Sequence, residues 1–190
     1  TLPGIASPFA IATVEMVRLD PASSDPQVVF TSYSGGAHCC FSTLIVTSGG
    51  KVIRTPDLDG SGYSFENITG DRAAELISSD DRFLYRFAPY AGSFSPPRVQ
   101  SFDGTSLIDS TNAPRSRQLL RRSLRMMELS AASNPSLWSS NGFLGAWVAV
   151  KSLVGEGNEA WRRMLVTYDR NPSFFDEVCS EPMKPEQCPP

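Results

Sequence analysis

Two strands joined by a glycine-containing turn are predicted in residues 28–47, and this stretch decides the fold of the first half of the chain: Val28-Val29-Phe30-Thr31-Ser32-Tyr33-Ser34-Gly35-Gly36-Ala37-His38-Cys39-Cys40-Phe41-Ser42-Thr43-Leu44-Ile45-Val46-Thr47. The runs 28–33 and 40–47 are rich in β-branched and aromatic residues, as strands are. Pro26 precedes the first run and Gly49-Gly50 follows the second, and both are typical of strand boundaries.

Further strand signals follow at short intervals, over 75–78, 83–87, 99–102 and 106–108. In the second of these, Phe83, Tyr85 and Phe87 alternate with Leu84 and Arg86, as residues on two faces of a strand would. The dipeptide Asp103-Gly104 between the last two runs is typical of a hairpin turn. No long helical pattern separates these strands, which favours antiparallel pairing over a parallel sheet with crossover helices.

From Asn112 onward the apolar residues recur with helical spacing. The first helix is predicted to begin near Pro114, the second near Gly142, and the third after an Asn158 cap. Their inward-facing residues are expected to be Leu120, Leu124 and Met127 in the first helix, Phe143, Trp147, Val150 and Val154 in the second, and Trp161, Leu165 and Tyr168 in the third. We therefore predict an α+β fold, with an antiparallel β region over 1–112 and a three-helix C-terminal segment over 113–190, packed as one unit.

Composition limits the classes of function. The chain has 190 residues and 41% hydrophobic residues, enough for one domain of ordinary size or two small ones. Seventeen basic against twenty acidic residues give a net charge of -3. A nucleic-acid-binding protein usually carries a basic excess, so nucleic acid is not an expected partner. The uninterrupted apolar stretches are too short for a membrane span.

The four cysteines are Cys39, Cys40, Cys179 and Cys188, an even number that suits two disulfides. Cys179 and Cys188 lie close together in a polar, proline-rich tail, and we expect them to pair because so short a loop closes easily. Cys39 and Cys40 would then form a vicinal bridge, and the alternative is that one of them reaches the tail. Disulfides indicate an oxidising compartment, so we expect a periplasmic or secreted protein. A chain that starts at Thr1 fits a cleaved signal peptide.

Two acidic turns are candidate calcium sites. In residues 57–63, oxygen-bearing side chains stand at alternate positions before a glycine, and in residues 67–77 a polar loop runs directly into a strand. Calcium prefers six to eight hard oxygen ligands. The candidate ligands are Asp57, Asp59, Ser61, Asn67, Asp71 and Glu75. The alternative is that these side chains only bond their own backbone and hold no metal.

The stretch 67–77 resembles the acidic loop of FG-GAP and VCBS-type repeats found in secreted β-propeller proteins. Gly70, Asp71, Glu75 and Leu76 match the pattern, Asn67 fills its first acidic place, and Arg72 stands where the repeats have a second glycine. The resemblance implies a calcium-stabilised β scaffold with a recognition role. A weaker echo over 20–29 places Gln27 at the position that Glu75 has in the later stretch, and the separation between the two is typical of repeated β units.

The segment around the Gly-Gly turn contains the candidate ligand-binding residues Gly35, Gly36, His38, Cys39 and Cys40. It resembles a segment of uncharacterised exported bacterial proteins that also carry FG-GAP-like loops. His38 beside two cysteines is compatible with a thiol enzyme, with a copper site completed by a methionine, or with disulfide chemistry alone.

Two further groups have a functional and a structural interpretation each. The basic run of the first helix could contact an anionic partner or form a solvated face: Arg115, Arg117, Arg121, Arg122 and Arg125. The aromatics of residues 83–94 could line a groove or belong to the core: Phe83, Tyr85, Phe87, Tyr90 and Phe94. The function that we predict is a periplasmic or secreted binding module that recognises a protein or envelope ligand. The alternative is an enzyme or metal-redox protein centred on residues 38–40.

Overall fold

The computed structural model describes residues 12–33, 39–55, 58–59 and 62–170, and of Cys39 and Asp59 it describes the backbone alone. The strands are β1 Ala12–Val17, β2 Gln27–Tyr33, β3 Cys39–Val46, β4 Val52–Arg54, β5 Leu58–Asp59, β6 Ser64–Glu66, β7 Glu75–Ser79, β8 Pro97–Phe102 and β9 Leu107–Asp109. The helices are α1 Arg117–Ser133, α2 Asn141–Leu153 and α3 Gly157–Thr167, with short 3-10 turns before α1 and α2.

The strands form two antiparallel sheets, one of five strands and one of four. Sheet A has the order β1-β2-β3-β4, with β5 paired to β3, and sheet B has the order β6-β7-β8-β9. The predicted α+β fold, with antiparallel strands first and three helices after them, is confirmed. Every strand predicted over 28–47 and 99–108 is present, within one or two residues of the expected bounds.

The chain divides into two compact units, and neither is continuous in sequence. Unit 1 comprises residues 1–81 and 96–123, and unit 2 comprises residues 82–95 and 124–190. Residues 82–95, which lie between β7 and β8, therefore belong to the helical unit. The sequence pattern instead predicts a single change from strands to helices, at residue 112.

Unit 1 is built in layers. Val29 and Ile45 of sheet A form a buried core with Leu19 and with Phe102 of sheet B. Apolar side chains from both sheets pack around this core: Val17, Ile53, Phe65, Ala74 and Leu107. The other face of sheet B carries Ser101, which accepts a hydrogen bond from the guanidinium of Arg115 at 2.9 Å. Sheet A and the segment leading into α1 thus cover opposite faces of sheet B.

The loop between β1 and β2 is held by one buried side chain. Gln27, at the first position of β2, is 1% exposed, and its Oε1 accepts from the backbone N–H groups of Leu19 at 2.7 Å and Asp20 at 3.1 Å. Its Nε2 donates to the carbonyl of Asp25 at 3.0 Å. The Leu19 bond lies away from water, so it removes the cost of an unpaired buried polar group.

Unit 2 has an aromatic core around α2. The predicted stripe of this helix is confirmed, because Phe143, Trp147, Val150 and Val154 are all buried. Trp138 stacks edge-on against Phe143 and Trp147, with ring centroids 5.2 and 5.1 Å apart. Such pairs add to the stability that burial of the rings already gives.

Residues 82–95 complete this core from a part of the chain distant in sequence. Phe94 meets Phe143 edge-on at 5.4 Å. A Cβ atom at Gly145 would lie 2.8 Å from the ring of Phe87, and one at Gly142 would overlap the carbonyl oxygen of Gly92. Glycine at these two positions lets the segment approach the axis of α2 closely.

The strand predicted over 83–87 is wrong. Residues Asp81–Phe83 form a 3-10 turn, and Tyr85 has a φ of 57°, in the left-handed region where an extended strand cannot continue. The rings of Phe83 and Phe87 lie 5.9 Å apart instead of being spaced along a strand. The alternating apolar residues therefore lie in a compact turn and not in a strand.

The prediction for α3 is wrong in its cap and in its buried face. The helix is preceded by Glu156, and Asn158 lies inside it. Ala160 and Met164 are buried, whereas Trp161 and Leu165 are 52% and 48% exposed. The inward stripe is therefore displaced by one residue, from Trp161 and Leu165 to Ala160 and Met164.

Candidate functional site

Most of the segment proposed for ligand binding falls outside the described residues. Gly35, Gly36 and His38 are not described, and of Cys39 only the backbone is. Cys40, at the second position of β3, is disulfide-bonded. The other half of this disulfide is a side chain that the structure does not describe, so both pairings considered for residues 39–40 stay predictions.

The acidic loop before β7 is described, and its side chains hold its own backbone. The Asn67 amide donates to the carbonyl of Asp71, and its Oδ1 accepts from Gly70 N–H at 2.8 Å. Asp71 Oδ1 accepts from Ala73 N–H at 2.8 Å. Glu75, which is 3% exposed, accepts from Ile68 N–H at 3.2 Å. The loop is thereby a preformed, well-braced element at one end of sheet B.

Three of the six proposed calcium ligands have side chains that the structure describes. Asn67, Asp71 and Glu75 each use a side-chain oxygen on a backbone N–H group. Among the described residues there is no group of three or more His, Cys, Asp or Glu that could hold a metal. Asp57 and Ser61 and the side chain of Asp59 lie outside the description. Calcium at these turns stays a prediction.

A cleft in unit 1 lies beside this braced loop. It has a volume of about 240 Å³ and is lined by Glu66, Asn67 and Ile68 on one wall and by Gln118, Leu119 and Arg122 of α1 on the other. Glu66 ends β6 directly opposite Glu75 of β7, so the Glu75 bond to Ile68 also fixes the wall of the cleft. The position of the second wall is set by Ser116, whose hydroxyl donates to the carbonyl of Ser110 at 2.7 Å.

Charged and polar groups face this cleft without strong partners of their own. Within the described part of the chain, Arg122 and Gln118 make no hydrogen bond or ion pair. The Glu66 carboxylate accepts from the hydroxyl of Ser64 at 3.0 Å. The cleft therefore offers a cation, an anion and an amide, with Ile68 and Leu119 as apolar contacts. Such a set can orient a ligand that has polar groups of both kinds.

The basic run of α1 separates into residues with different surroundings. All five arginines of the run are exposed, and two of them have a further role: Arg115 donates to Ser101, and Arg122 lines the cleft. The aromatics of 83–94 belong in part to the core of unit 2, through Phe87 and Phe94. Tyr85 and Tyr90 pair at 5.7 Å, with Tyr85 half exposed.

Of the residues that line the cleft, Asn67 and Arg122 are candidates from the sequence alone, and the other four are not. Glu66, Ile68, Gln118 and Leu119 are ordinary residue types with no motif around them. Their juxtaposition depends on where α1 lies against a loop that is distant from it in sequence, and no local pattern encodes that.

Comparisons with known proteins give relatives without an assigned activity. The chain is 42% identical over 181 residues to a protein of Sinorhizobium fredii (strain NBRC 101917 / NGR234) described as "Uncharacterized protein y4bJ". It is 34% identical over 187 residues to a protein of Synechocystis sp. (strain ATCC 27184 / PCC 6803 / Kazusa) described as "Probable thylakoid lumen protein sll0997". The matched regions cover 94% and 95% of this chain but only 29% and 55% of the two relatives.

Residues 120–190 also match the family model of the sll0997 C-terminal domain. This match begins at the fourth residue of α1 and includes α2 and α3. No solved structure matches the chain. Within the described residues, no helix has both the length and the apolar character that a bilayer crossing requires.

Proposed function

We propose that this chain is a binding module of an exported compartment, and that it recognises a polypeptide segment through the cleft between residues 66–68 and the start of α1. The observation that carries the proposal is that Arg122, which has no hydrogen-bond or ion-pair partner among the described residues, lines the same cleft as Glu66. Preformed sites bind more tightly, because little order has to be imposed on association.

The chemistry of the cleft favours a polypeptide over other ligand classes. The Gln118 side chain has one donor group and one acceptor group, which can complement the N–H and C=O of a peptide unit. Arg122 and Glu66 suit side chains or chain ends of either charge, and Ile68 and Leu119 suit an aliphatic group. Pockets for whole cofactors or drug-sized ligands have volumes of about 300–1,000 Å³. A volume of about 240 Å³ fits a side chain with its neighbouring backbone better than a cofactor.

Two observations support the exported location. The Synechocystis relative is described as a probable thylakoid lumen protein, and the lumen lies beyond a membrane. The disulfide at Cys40 is of a kind that persists in oxidising compartments. A bonded sulfur is also not available as a nucleophile, which favours binding over the thiol-enzyme alternative at residues 38–40.

We also retain the FG-GAP-like assignment of the loop at 67–77 as a proposal. Its support is the role of the loop in the structure, where the polar residues brace a turn that leads straight into a buried strand. Under this proposal the loop acts as the scaffold of the cleft, since Asn67 and Ile68 belong to both.

The test is selection of a phage-displayed random peptide library on the immobilised protein. We expect enriched peptides that bind the wild type and lose at least about tenfold in affinity for Arg122→Ala. Arg117→Ala is the matched control, because it removes the same charge from the same helix at a position that does not line the cleft. Enriched peptides that bind both variants equally would show that the cleft is not the site. If no peptide is enriched relative to selection on a surface without the protein, the proposal that the chain binds polypeptides is wrong.

A further inference from the structure

On the wall of the cleft that precedes β7, most hydrogen-bonding groups are already used within the protein. The nitrogen of the Asn67 amide donates to the carbonyl of Asp71, and its oxygen accepts from Gly70 N–H at 2.8 Å. The backbone N–H of Ile68 donates to the Glu75 carboxylate at 3.2 Å. These groups therefore shape the wall, and they are not free to bind a ligand.

The polar groups that remain free are Glu66 on this wall and Gln118 and Arg122 on α1. Glu66 accepts from the hydroxyl of Ser64 through one carboxylate oxygen, at 3.0 Å, and within the described residues its other oxygen has no partner. Over the same ranges the side chains of Gln118 and Arg122 make no hydrogen bond or ion pair. One wall thus offers a negatively charged acceptor, and the other offers an amide and a positively charged donor.

The free groups of α1 lie close together along the helix. Gln118 and Arg122 are four residues apart, so they are neighbours on the helix surface, and the distance between them along the axis is about 6 Å. An extended polypeptide advances by about 3.3 Å per residue. The cleft can therefore hold about two residues of a ligand, which has to present its charged, donating and apolar groups within that distance.

We propose that the cleft holds the carboxyl-terminal residue of a polypeptide, and that this residue has an aliphatic side chain; this assignment rests on the proposed function. In such a residue the carboxylate, the backbone N–H and the side chain are all attached to one carbon atom. The carboxylate faces Arg122, whose guanidinium can donate two parallel hydrogen bonds to it. The N–H faces the free oxygen of Glu66, and the aliphatic side chain lies between Ile68 and Leu119, which are both half-buried.

A chain end suits the cleft better than an internal segment does. An internal peptide unit is neutral, and the amide of Gln118 can pair with it alone, which leaves the charge of Arg122 unused. An internal aspartate or glutamate can reach Arg122, but a side chain that carries this charge cannot also fill the space between Ile68 and Leu119. Capture of a terminal carboxylate is a recurring mode of peptide recognition, and a volume of about 240 Å³ is in keeping with one residue and its neighbouring backbone.

NMR titration of the full chain with two matched pentapeptides tests the assignment. Both peptides end in leucine and have glycine and serine elsewhere, and they differ only in a free carboxyl group or an amide at the last residue. The free acid should bind at least about tenfold more tightly than the amide. In Arg122→Gln this ratio should fall to about 1, because the group that recognises the carboxylate is absent. Arg117→Gln is the matched control and should keep the ratio, since it removes the same charge from the same helix outside the cleft.

Three further probes separate a chain end from other carriers of a carboxylate. A pentapeptide amide with an internal glutamate should bind no more tightly than the plain amide. A free acid that ends in aspartate should bind at least about tenfold more weakly than the one that ends in leucine, because a second carboxylate would face Ile68 and Leu119. Free leucine should also bind at least about tenfold more weakly, since it lacks the second residue that the cleft admits.

The outcomes distinguish this assignment from the proposed function. Equal binding of the acid and the amide, both weakened by Arg122→Gln, would overturn the chain end and leave polypeptide binding by the cleft intact. A preference for the acid that Arg122→Gln does not change would overturn it as well, because another cation would then be responsible. Free leucine that binds as tightly as the peptide acid would show that the ligand is an amino acid and not a polypeptide end. If neither pentapeptide binds up to about 5 mM, the chain end is wrong, and selection from the peptide library decides whether other segments bind.

Discussion

Gln27 and Glu75 hold equivalent positions in two different sheets. Each is the buried first residue of the second strand of its sheet, and each accepts through a side-chain oxygen from the backbone N–H seven residues earlier. For Gln27 that group belongs to Asp20, at 3.1 Å, and for Glu75 it belongs to Ile68, at 3.2 Å. The same kind of hydrogen bond therefore fixes the loop before the second strand in each sheet, although one side chain is an amide and the other is a carboxyl.

This equivalence predicts that Glu75→Gln is tolerated and Glu75→Leu is not. Glutamine retains an oxygen for Ile68 N–H, as Gln27 does for Asp20, so the free energy of unfolding should change little. Leucine leaves that N–H unpaired, at a cost of about 1–3 kcal/mol. Urea denaturation of the two variants measures the difference. Equal losses for both would show that the hydrogen bond does not hold the loop.

The approach of residues 82–95 to α2 makes Gly142→Ala destabilising. The added methyl group would overlap the carbonyl oxygen of Gly92, which is backbone and cannot rotate away. Overpacking of this kind costs about 1–3 kcal/mol or more, and chemical denaturation measures it. Gly49→Ala serves as the control, because its methyl group would meet only Thr47 Oγ1, at 3.9 Å. Equal stability of the two variants would contradict the close approach.

The turn between β8 and β9 has a predicted pH dependence. The hydroxyl of Thr105 and the backbone N–H groups of Ser106 and Thr105 donate to the Asp103 carboxylate and lower its pKa from 3.8 to about 2. A depressed carboxyl pKa stabilises the folded state fully above the unfolded-state value, and this contribution is lost as the pH falls toward 2. The difference in melting temperature between wild type and Asp103→Asn should therefore shrink from pH 4 to pH 2.

NMR titration of the same carboxyl group provides the direct check. A pKa near 3.8 in the folded protein would show that the hydrogen bonds to Thr105 and Ser106 do not form in solution. A constant difference between the two melting curves across the pH range would lead to the same conclusion.

Calcium should raise the melting temperature if the acidic turns bind it. At a free concentration of about 100 times Kd, a single site stabilises the folded state by about 2.7 kcal/mol. Melting curves in EDTA and in millimolar calcium make the measurement. Asp71→Asn should reduce the response, since it removes one of the charged candidate ligands. Superimposable melting curves for the wild type would show that the acidic turns do not bind calcium at millimolar concentration.

The disulfides are predicted to be Cys39–Cys40 and Cys179–Cys188. Non-reducing peptide mapping should recover residues 39–40 in one peptide with an internal bridge, and the two tail cysteines linked to each other. A peptide that joins the segment of Cys40 to either tail cysteine would contradict this pairing.

The sequence predicted best those elements whose local pattern and tertiary environment agree. In β2 and β3, β-branched residues coincide with a regular alternation of burial, and in α2 the apolar stripe coincides with the buried face. The predictions failed where tertiary contacts overruled the pattern. Residues 83–87 alternate as a strand would, but Phe87 packs against α2, and Trp161 is exposed although it has the spacing of a core residue.

The candidate site was only partly predictable for a related reason. The loop at 67–75 is a local motif, in which Asn67, Asp71 and Glu75 bond groups that are near them in sequence, and such contacts can be inferred from spacing. Glu66 of β6 and Arg122 of α1 line the same cleft, although β7, β8 and β9 lie between them along the chain. Only the packing of residues 117–123 within unit 1 places both side chains at one cleft.

The insertion of residues 82–95 has a consequence for the order in which the protein is made. Phe87 and Gly92 leave the ribosome well before their partners on α2. The helical core therefore cannot close until late in synthesis, and during that interval Phe87 and Phe94 have no α2 to cover them. A fragment that begins at residue 120 would lack residues 82–95. Its α2 helix would therefore have Gly142 and Gly145 without the segment that packs against them. Chaperone dependence should accordingly increase when translation is slowed between residues 95 and 140.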